Sequence, residues 1–175
     1  MSKYLLLVPL VSVLGVITSQ DQKPPNLTEY KKWQKVNPSP VRMADRVAMM
    51  CAPAPPAWSQ SLHGPKFITV YVNRTGQKAM MDFKTKSYPE GTVIVKEKLA
   101  KKDDKKPELV TVMVKRPKGF APENGDWEFL VADASGKITA RGKETKHCGT
   151  CHAVQVDQDH VFRTYLGMAT LKRSR

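Results

Sequence analysis

The feature that most constrains this chain is a Cys-x-x-Cys-His motif close to its C-terminus, formed by Cys148, Cys151 and His152. Two thiols three positions apart on a tight turn can both reach one edge of a porphyrin and add to its vinyl groups. The imidazole of the next residue can then coordinate the iron from one side. The motif therefore predicts one covalently attached haem c, with Cys148 and Cys151 as the thioether residues and His152 as the axial iron ligand.

Three other uses of these residues remain open from the sequence alone. A zinc ion could take Cys148, Cys151, His152 and either His147 or His160, although a second spaced pair of ligands is missing. A redox-active dithiol normally opens a helix early in a βαβ unit, whereas this motif follows a polar, basic segment late in the chain. A disulfide between the two cysteines would close a very small loop and would stabilise the fold little.

Residues 1–20 have the pattern of a cleaved secretory signal peptide. Lys3 precedes an apolar run from Tyr4 to Val16, and the small or polar residues Thr18 and Ser19 follow it. The run is too short to span a bilayer comfortably, so an uncleaved membrane anchor is the less favoured alternative. We expect a periplasmic protein, which agrees with covalent haem attachment outside the cytoplasm.

Length and charge restrict the organisation and the partners. The 175 residues suffice for one domain after removal of the signal peptide, and we predict a haem domain over residues 41–175 behind a proline-containing extended lead-in at 21–40. The formal net charge of +13 favours acidic partners through electrostatic steering. A nucleic acid partner has little support, because the chain lacks a motif that interleaves aromatic and basic residues.

The central part of the chain is rich in β-branched and aromatic residues. Four strands are predicted there, at Phe67–Asn73, Thr92–Leu99, Leu109–Lys115 and Trp127–Ala134. Their short connections favour an antiparallel sheet, and with flanking helices the fold class is α+β.

Helical spacing of apolar residues predicts three flanking helices. They lie at Val41–Cys51, at Gln77–Phe83 and after Asp159, where the apolar side carries Val161, Phe162, Tyr165, Leu166 and Ala169. The third cysteine, Cys51, is expected to be a buried thiol.

A β-rich body followed by a late haem motif differs from the small electron-transfer cytochromes, which are mostly helical and carry the motif near their start. This order resembles the cytochrome P-460 family, whose close relatives are the cytochromes c′-beta. The resemblance spans about Val41 to Leu171. It is carried by Ile68-Thr69-Val70-Tyr71-Val72, Gly91-Thr92-Val93-Ile94-Val95-Lys96-Glu97, Gly125-Asp126-Trp127-Glu128-Phe129, Cys148 to His152, and Val161-Phe162.

The resemblance implies that the iron face opposite His152 is open. It also implies, for the P-460 branch, a covalent bond between Lys96 and a porphyrin carbon, which the c′-beta branch lacks. Alternation along the strand places Lys96 on one face with Thr92, Ile94 and Lys98, so the residue pattern by itself predicts a solvated lysine.

Three functions follow from the resemblance. Enzymes of the P-460 type oxidise hydroxylamine and deliver electrons to a partner cytochrome, so the first is oxidation of hydroxylamine or nitric oxide with Lys96 cross-linked. The second is nitric oxide binding without turnover, and the third is electron transfer with Met168 or another methionine as second axial ligand. The resemblance also implies a homodimer, and the charge indicates an acidic redox partner.

Oxidation requires a proton acceptor over the open iron face. Glu97, Glu128 and Glu144 are the candidates, although a surface position is the simpler expectation for each; Thr111 and Met113 occupy the next strand. Phe67, Phe83 and Phe120 could instead form an apolar pocket for a gas molecule, or could pack in an ordinary core.

Overall fold

The computed structural model describes residues 22–42 and 67–166 of the 175-residue chain. These residues form seven strands: β1 Gln34–Lys35, β2 Val41–Arg42, β3 Phe67–Val72, β4 Val93–Leu99, β5 Leu109–Lys115, β6 Trp127–Ala132 and β7 Ile138–Arg141. They also form two α-helices, α1 Arg74–Met81 and α2 Lys146–His152. Short 3-10 helices lie at Tyr30–Lys32, Pro122–Asn124, Gly142–Thr145, Ala153–Gln158 and Thr164–Leu166.

All seven strands belong to one antiparallel sheet. Strands β3 to β7 lie side by side in chain order, and each pairs antiparallel with the next. The two-residue strands β1 and β2 both pair with the outer edge of β3. The predicted α+β fold, an antiparallel sheet with flanking helices, is therefore confirmed.

Both faces of the sheet are covered. On one face, Val70, Ile94, Met113 and Phe129 pack against α1 and the C-terminal segment. On the other face, the N-terminal segment packs Leu27 and Tyr30 against residues of the central strands. Strand β6 is consequently buried along its whole length, and no simple inward and outward alternation remains in its sequence.

Helix α1 begins earlier than predicted, because Asn73 caps it. The Asn73 side chain accepts a hydrogen bond from the Gly76 amide at 3.2 Å and a second from the Val93 amide at 3.0 Å. Gly76 lets the helix approach the sheet closely, since a Cβ at this position would lie 2.3 Å from the Thr92 methyl carbon. The helix ends at Met81 rather than at Phe83.

Two predicted helices differ from the structure. Val41 and Arg42 form β2 instead of opening a helix, because they pair with Ile68 and Phe67. Asp159 does not cap a helix, since Asp159 and His160 both have left-handed backbone angles and only Thr164–Leu166 forms a 3-10 turn. The rest of the Val41–Cys51 helix, the signal peptide, Cys51, Met168 and Ala169 lie outside the described residues.

Across residues 22–42 and 67–166, no helix combines the length and the apolar character needed to cross a membrane.

Candidate functional site

Helix α2 carries the Cys-x-x-Cys-His motif. Gly149, between the two cysteines, is buried against Asn124, and a Cβ at Gly149 would lie 2.1 Å from the Asn124 Oδ1 atom. The glycine therefore allows the helix to pack closely on the Pro122–Asn124 turn. Cys148 and Cys151 are both half-buried, and no disulfide joins them.

His152, the last residue of α2, is buried and has a defined orientation. Its Nδ1 atom lies 2.7 Å from the carbonyl oxygen of His160. Because a carbonyl oxygen can only accept, Nδ1 carries the hydrogen, and the lone pair of Nε2 remains for a metal. The rings of Phe129 and Phe162 lie 4.9 and 5.1 Å from the imidazole, centroid to centroid.

The electrostatic surroundings keep the imidazole neutral. Burial, and then the positive charge of Lys96, lower the pKa of His152 to about 4. The ring is therefore uncharged at neutral pH, which is the form that binds a metal.

A cavity lies between α2, the sheet and the C-terminal segment, and the empty space in it, counted with its opening to solvent, is about 520 Å³. The cavity is lined mostly by apolar side chains and includes two residues of the motif: Val70, Ile94, Lys96, Thr111, Val112, Met113, Phe129, Leu130, Cys148, His152, Val161, Phe162 and Tyr165. Cys151 shares the helix but is not one of the lining residues.

Lys96 lines this cavity, so the expectation of a solvated lysine is wrong. It pairs across the sheet with Val70 on β3 and Thr111 on β5, and both of these also line the cavity. Alternation failed here because both faces of β4 are covered. Burial raises the pKa of the Cys148 thiol to about 11, and the charge of Lys96 opposes this rise, which indicates that the lysine lies near the motif.

The three candidate carboxylates all lie away from the cavity. Glu97 is buried on the opposite face, where its Oε1 accepts a 2.7 Å hydrogen bond from the Tyr30 hydroxyl. Glu128 is buried between the guanidinium groups of Arg116 and Arg141. The expected surface position is therefore wrong for both, whereas Glu144 is exposed and accepts from the Arg141 amide.

The aromatic residues of the cavity differ from those predicted. Phe67, Phe83 and Phe120 are not lining residues, and Phe83 is 50% exposed. Phe129, Phe162 and Tyr165 take this role instead. Phe129 and Phe162 lie in segments that carry the family resemblance, and this position in the sequence could have identified them as cavity residues. Met113 also lines the cavity, whereas Met168 is outside the described residues.

The donor set fits a haem c better than a zinc ion. In the described parts of the chain, no cluster of three or more histidine, cysteine, aspartate or glutamate side chains is arranged to hold a metal ion. The zinc alternative with Cys148, Cys151, His152 and His147 or His160 therefore has no geometric support. Two thiols, a neutral imidazole with Nε2 available and a mostly apolar cavity beside them are features that suit an attached porphyrin.

Comparison with known proteins agrees with this arrangement. A family model described as Cytochrome P460 matches residues 27–163, a range that contains the seven-stranded sheet, Lys96 and the whole motif helix. No curated protein matches the chain.

Proposed function

The chain belongs to the cytochrome P460 family of haem-binding cytochromes, and we propose that it is an exported enzyme with one haem c. Its proposed reaction is the oxidation of hydroxylamine, nitric oxide or both. The electrons pass to a partner cytochrome, whose acidic character complements the net charge of +13. Export is supported by the signal-like pattern of residues 1–20.

Each residue of the motif has a defined task in this proposal. Cys148 and Cys151 form the thioethers, and His152 binds the iron through Nε2 while Nδ1 stays bonded to the His160 carbonyl. A haem held by these residues would supply a redox-active iron. The apolar side chains that line the cavity would limit the access of water to it.

The position of Lys96 is the observation that carries the oxidative function. Its side chain lines the same cavity as Cys148 and His152, and this proximity supports the cross-link of the P-460 branch. Lys96 would hold the haem through Nζ, with one N–H bond and one porphyrin C–H bond replaced by an N–C bond. The two electrons released would reduce a peroxide to water.

Replacement of Lys96 by methionine tests the proposal. In the haem-loaded wild-type protein we expect a Soret band shifted far to the red after reduction, a haem peptide whose mass includes the Lys96 fragment, and steady oxidation of hydroxylamine. Lys96→Met should retain the haem but lose the shift, the cross-linked mass and the turnover.

Lys98→Met is the matched control. Lys98 follows on the same face of β4 and pairs with Ile68 and Leu109, but it does not line the cavity. This variant should behave as the wild type. A wild-type protein with an unshifted band and Lys96 in an unmodified peptide would exclude the cross-link.

Nitric oxide binding without turnover is the second candidate, and the composition of the cavity favours it. Among the described residues that line the cavity, none is a carboxylate that could accept the protons released by hydroxylamine. This function predicts tight binding of nitric oxide to the reduced protein and no hydroxylamine consumption, whereas sustained product formation would exclude it.

A five-coordinate ferric spectrum would exclude the simple electron carrier, including one with Met113 as second ligand.

A further inference from the structure

The carbonyl group that orients His152 belongs to an unusual stretch of backbone. Asp159 and His160 are consecutive residues with φ angles of 52° and 61°, and neither is glycine. Backbone angles in this region are unfavourable for a non-glycine residue, so other contacts must hold the segment in place. The position of the His160 carbonyl, which accepts the hydrogen bond from His152, is therefore not set by the backbone preferences of Asp159 and His160 themselves.

The side chain and the backbone of Asp159 make the contacts that hold this segment in place. Its carboxylate accepts a 2.7 Å hydrogen bond from the Tyr88 amide and is bound by the Lys115 ammonium at 2.6 and 2.7 Å. Its backbone carbonyl accepts a 2.8 Å hydrogen bond from the indole of Trp127. Residues from three different segments thus fix the peptide unit directly before His160.

The ion pair between Asp159 and Lys115 is itself enclosed. The two side chains are only 9% and 14% exposed. The Lys115 ammonium also donates to the Gly125 carbonyl at 2.7 Å and lies 5.2 Å from the centre of the Trp127 ring. Because a buried pair becomes costly when one partner is removed, a change at Asp159 should disturb this whole arrangement.

We propose that Asp159, held by Lys115 and Trp127, is a positioning residue that sets the orientation and the donor strength of His152 toward the iron. The inference rests on the proposed haem attachment. A strong hydrogen bond from Nδ1 to the His160 carbonyl makes Nε2 a better electron donor, and such outer contacts commonly change metal affinity or activity by roughly 10- to 100-fold. Asp159 touches neither haem nor substrate in this role.

The test compares Asp159→Asn with Glu128→Gln in the full-length, haem-loaded protein. The readouts are the iron–histidine stretching band of the reduced protein and its midpoint potential. In Asp159→Asn the ionic contact with Lys115 is lost, the His160 carbonyl is less firmly held, and the hydrogen bond to His152 weakens. We expect the band to broaden and to move to lower frequency, and the potential to rise because His152 donates less charge.

Glu128→Gln is the matched control, since it breaks another buried acidic contact of the same sheet, with Arg116 and Arg141. It should lower stability but leave the band and the potential unchanged. Equal shifts in the two variants, or a wild-type band in Asp159→Asn, would overturn the inference.

A milder variant covers the case in which Asp159→Asn does not fold. Trp127→Phe removes the indole donor to the Asp159 carbonyl but keeps an aromatic ring, and it should move the band in the same direction by a smaller amount. An unchanged band in Trp127→Phe would count against the inference. These readouts do not depend on turnover. If the variants show the expected shift but the wild type does not oxidise hydroxylamine, only the proposed oxidative function is contradicted. A colourless wild type would contradict both the proposed function and the role of Asp159.

Discussion

At the scale of single residues, Gly149 shows how the motif helix depends on its surroundings. Alanine normally stabilises a helix relative to glycine by about 1 kcal/mol, but here its Cβ would overlap the amide end of Asn124. We expect Gly149→Ala to lower the free energy of unfolding by about 1–2 kcal/mol, as overpacking usually does. Denaturant unfolding of the haem-loaded protein measures this change.

The double variant Gly149→Ala with Asn124→Ala separates the two effects. Removing the Asn124 amide should relieve the overlap and recover most of the lost stability. If Gly149→Ala alone were as stable as the wild type, the close contact between the glycine and Asn124 would not limit the packing of the helix.

Lys96 and Glu97 show what the sequence could not decide at this scale. The Cys-x-x-Cys-His motif predicted its three residues from their spacing, and the structure places two of them, Cys148 and His152, at the cavity. Adjacent residues on a strand must point to opposite faces, but the sequence did not say which face carries the cavity. The N-terminal segment covers the opposite face, so Glu97 is buried there and the lysine faces the cavity.

At the scale of elements, Arg163 connects the C-terminal segment to the end of α1. Its guanidinium donates to the carbonyl oxygens of Ala79, Asp82 and Thr85 at 3.1, 3.0 and 2.9 Å. Arg163→Met would leave one buried and two partly buried carbonyl groups without their donor, and we expect a loss of about 3 kcal/mol in the free energy of unfolding. Thermal or denaturant unfolding of the haem-loaded protein measures it.

Arg163→Lys is the appropriate comparison. Lysine keeps the charge but lacks the planar fork that reaches several carbonyl groups, so an intermediate loss is expected. Equal stability of Arg163→Met and the wild type would show that these three hydrogen bonds do not anchor the C-terminal segment.

The elements that were predicted from the sequence are determined by their own residues, whereas those that were missed depend on contacts with distant parts of the chain. The four longer strands were predicted because dense β-branched and aromatic runs define them. Strands β1 and β2 have two residues each, and pairing with β3 creates them. The helix predicted after Asp159 had suitable apolar spacing, but the contacts of Asp159 with Tyr88, Lys115 and Trp127 favour a left-handed turn.

At the scale of the whole molecule, two buried tyrosines predict how stability depends on alkaline pH. Burial, and for Tyr71 the nearby Glu97, raise the pKa of Tyr71 and of Tyr88 to about 12, from a usual value of about 10. Above pH 10 the unfolded chain releases phenol protons that the folded protein still holds. These phenols should therefore add no pH dependence to the free energy of unfolding below about pH 10 and should lower it as the pH rises from about 10 to 12.

Denaturant unfolding at a series of pH values tests this, with Tyr71→Phe as the comparison. The variant lacks one of the phenols whose pKa is raised by burial, so its stability should fall less steeply over the same interval. A stability that stays level up to pH 12 would contradict the assigned surroundings of both tyrosines.

The account depends most directly on a haem held by Cys148, Cys151 and His152 with one iron face open. The decisive measurement is the optical spectrum of the mature protein, purified from a host that attaches haem c, together with the mass of its haem-carrying peptide. We predict a coloured protein with a five-coordinate ferric spectrum and a haem on the peptide that contains Cys148 and Cys151. A colourless protein, or one that carries zinc at these residues, would contradict the account.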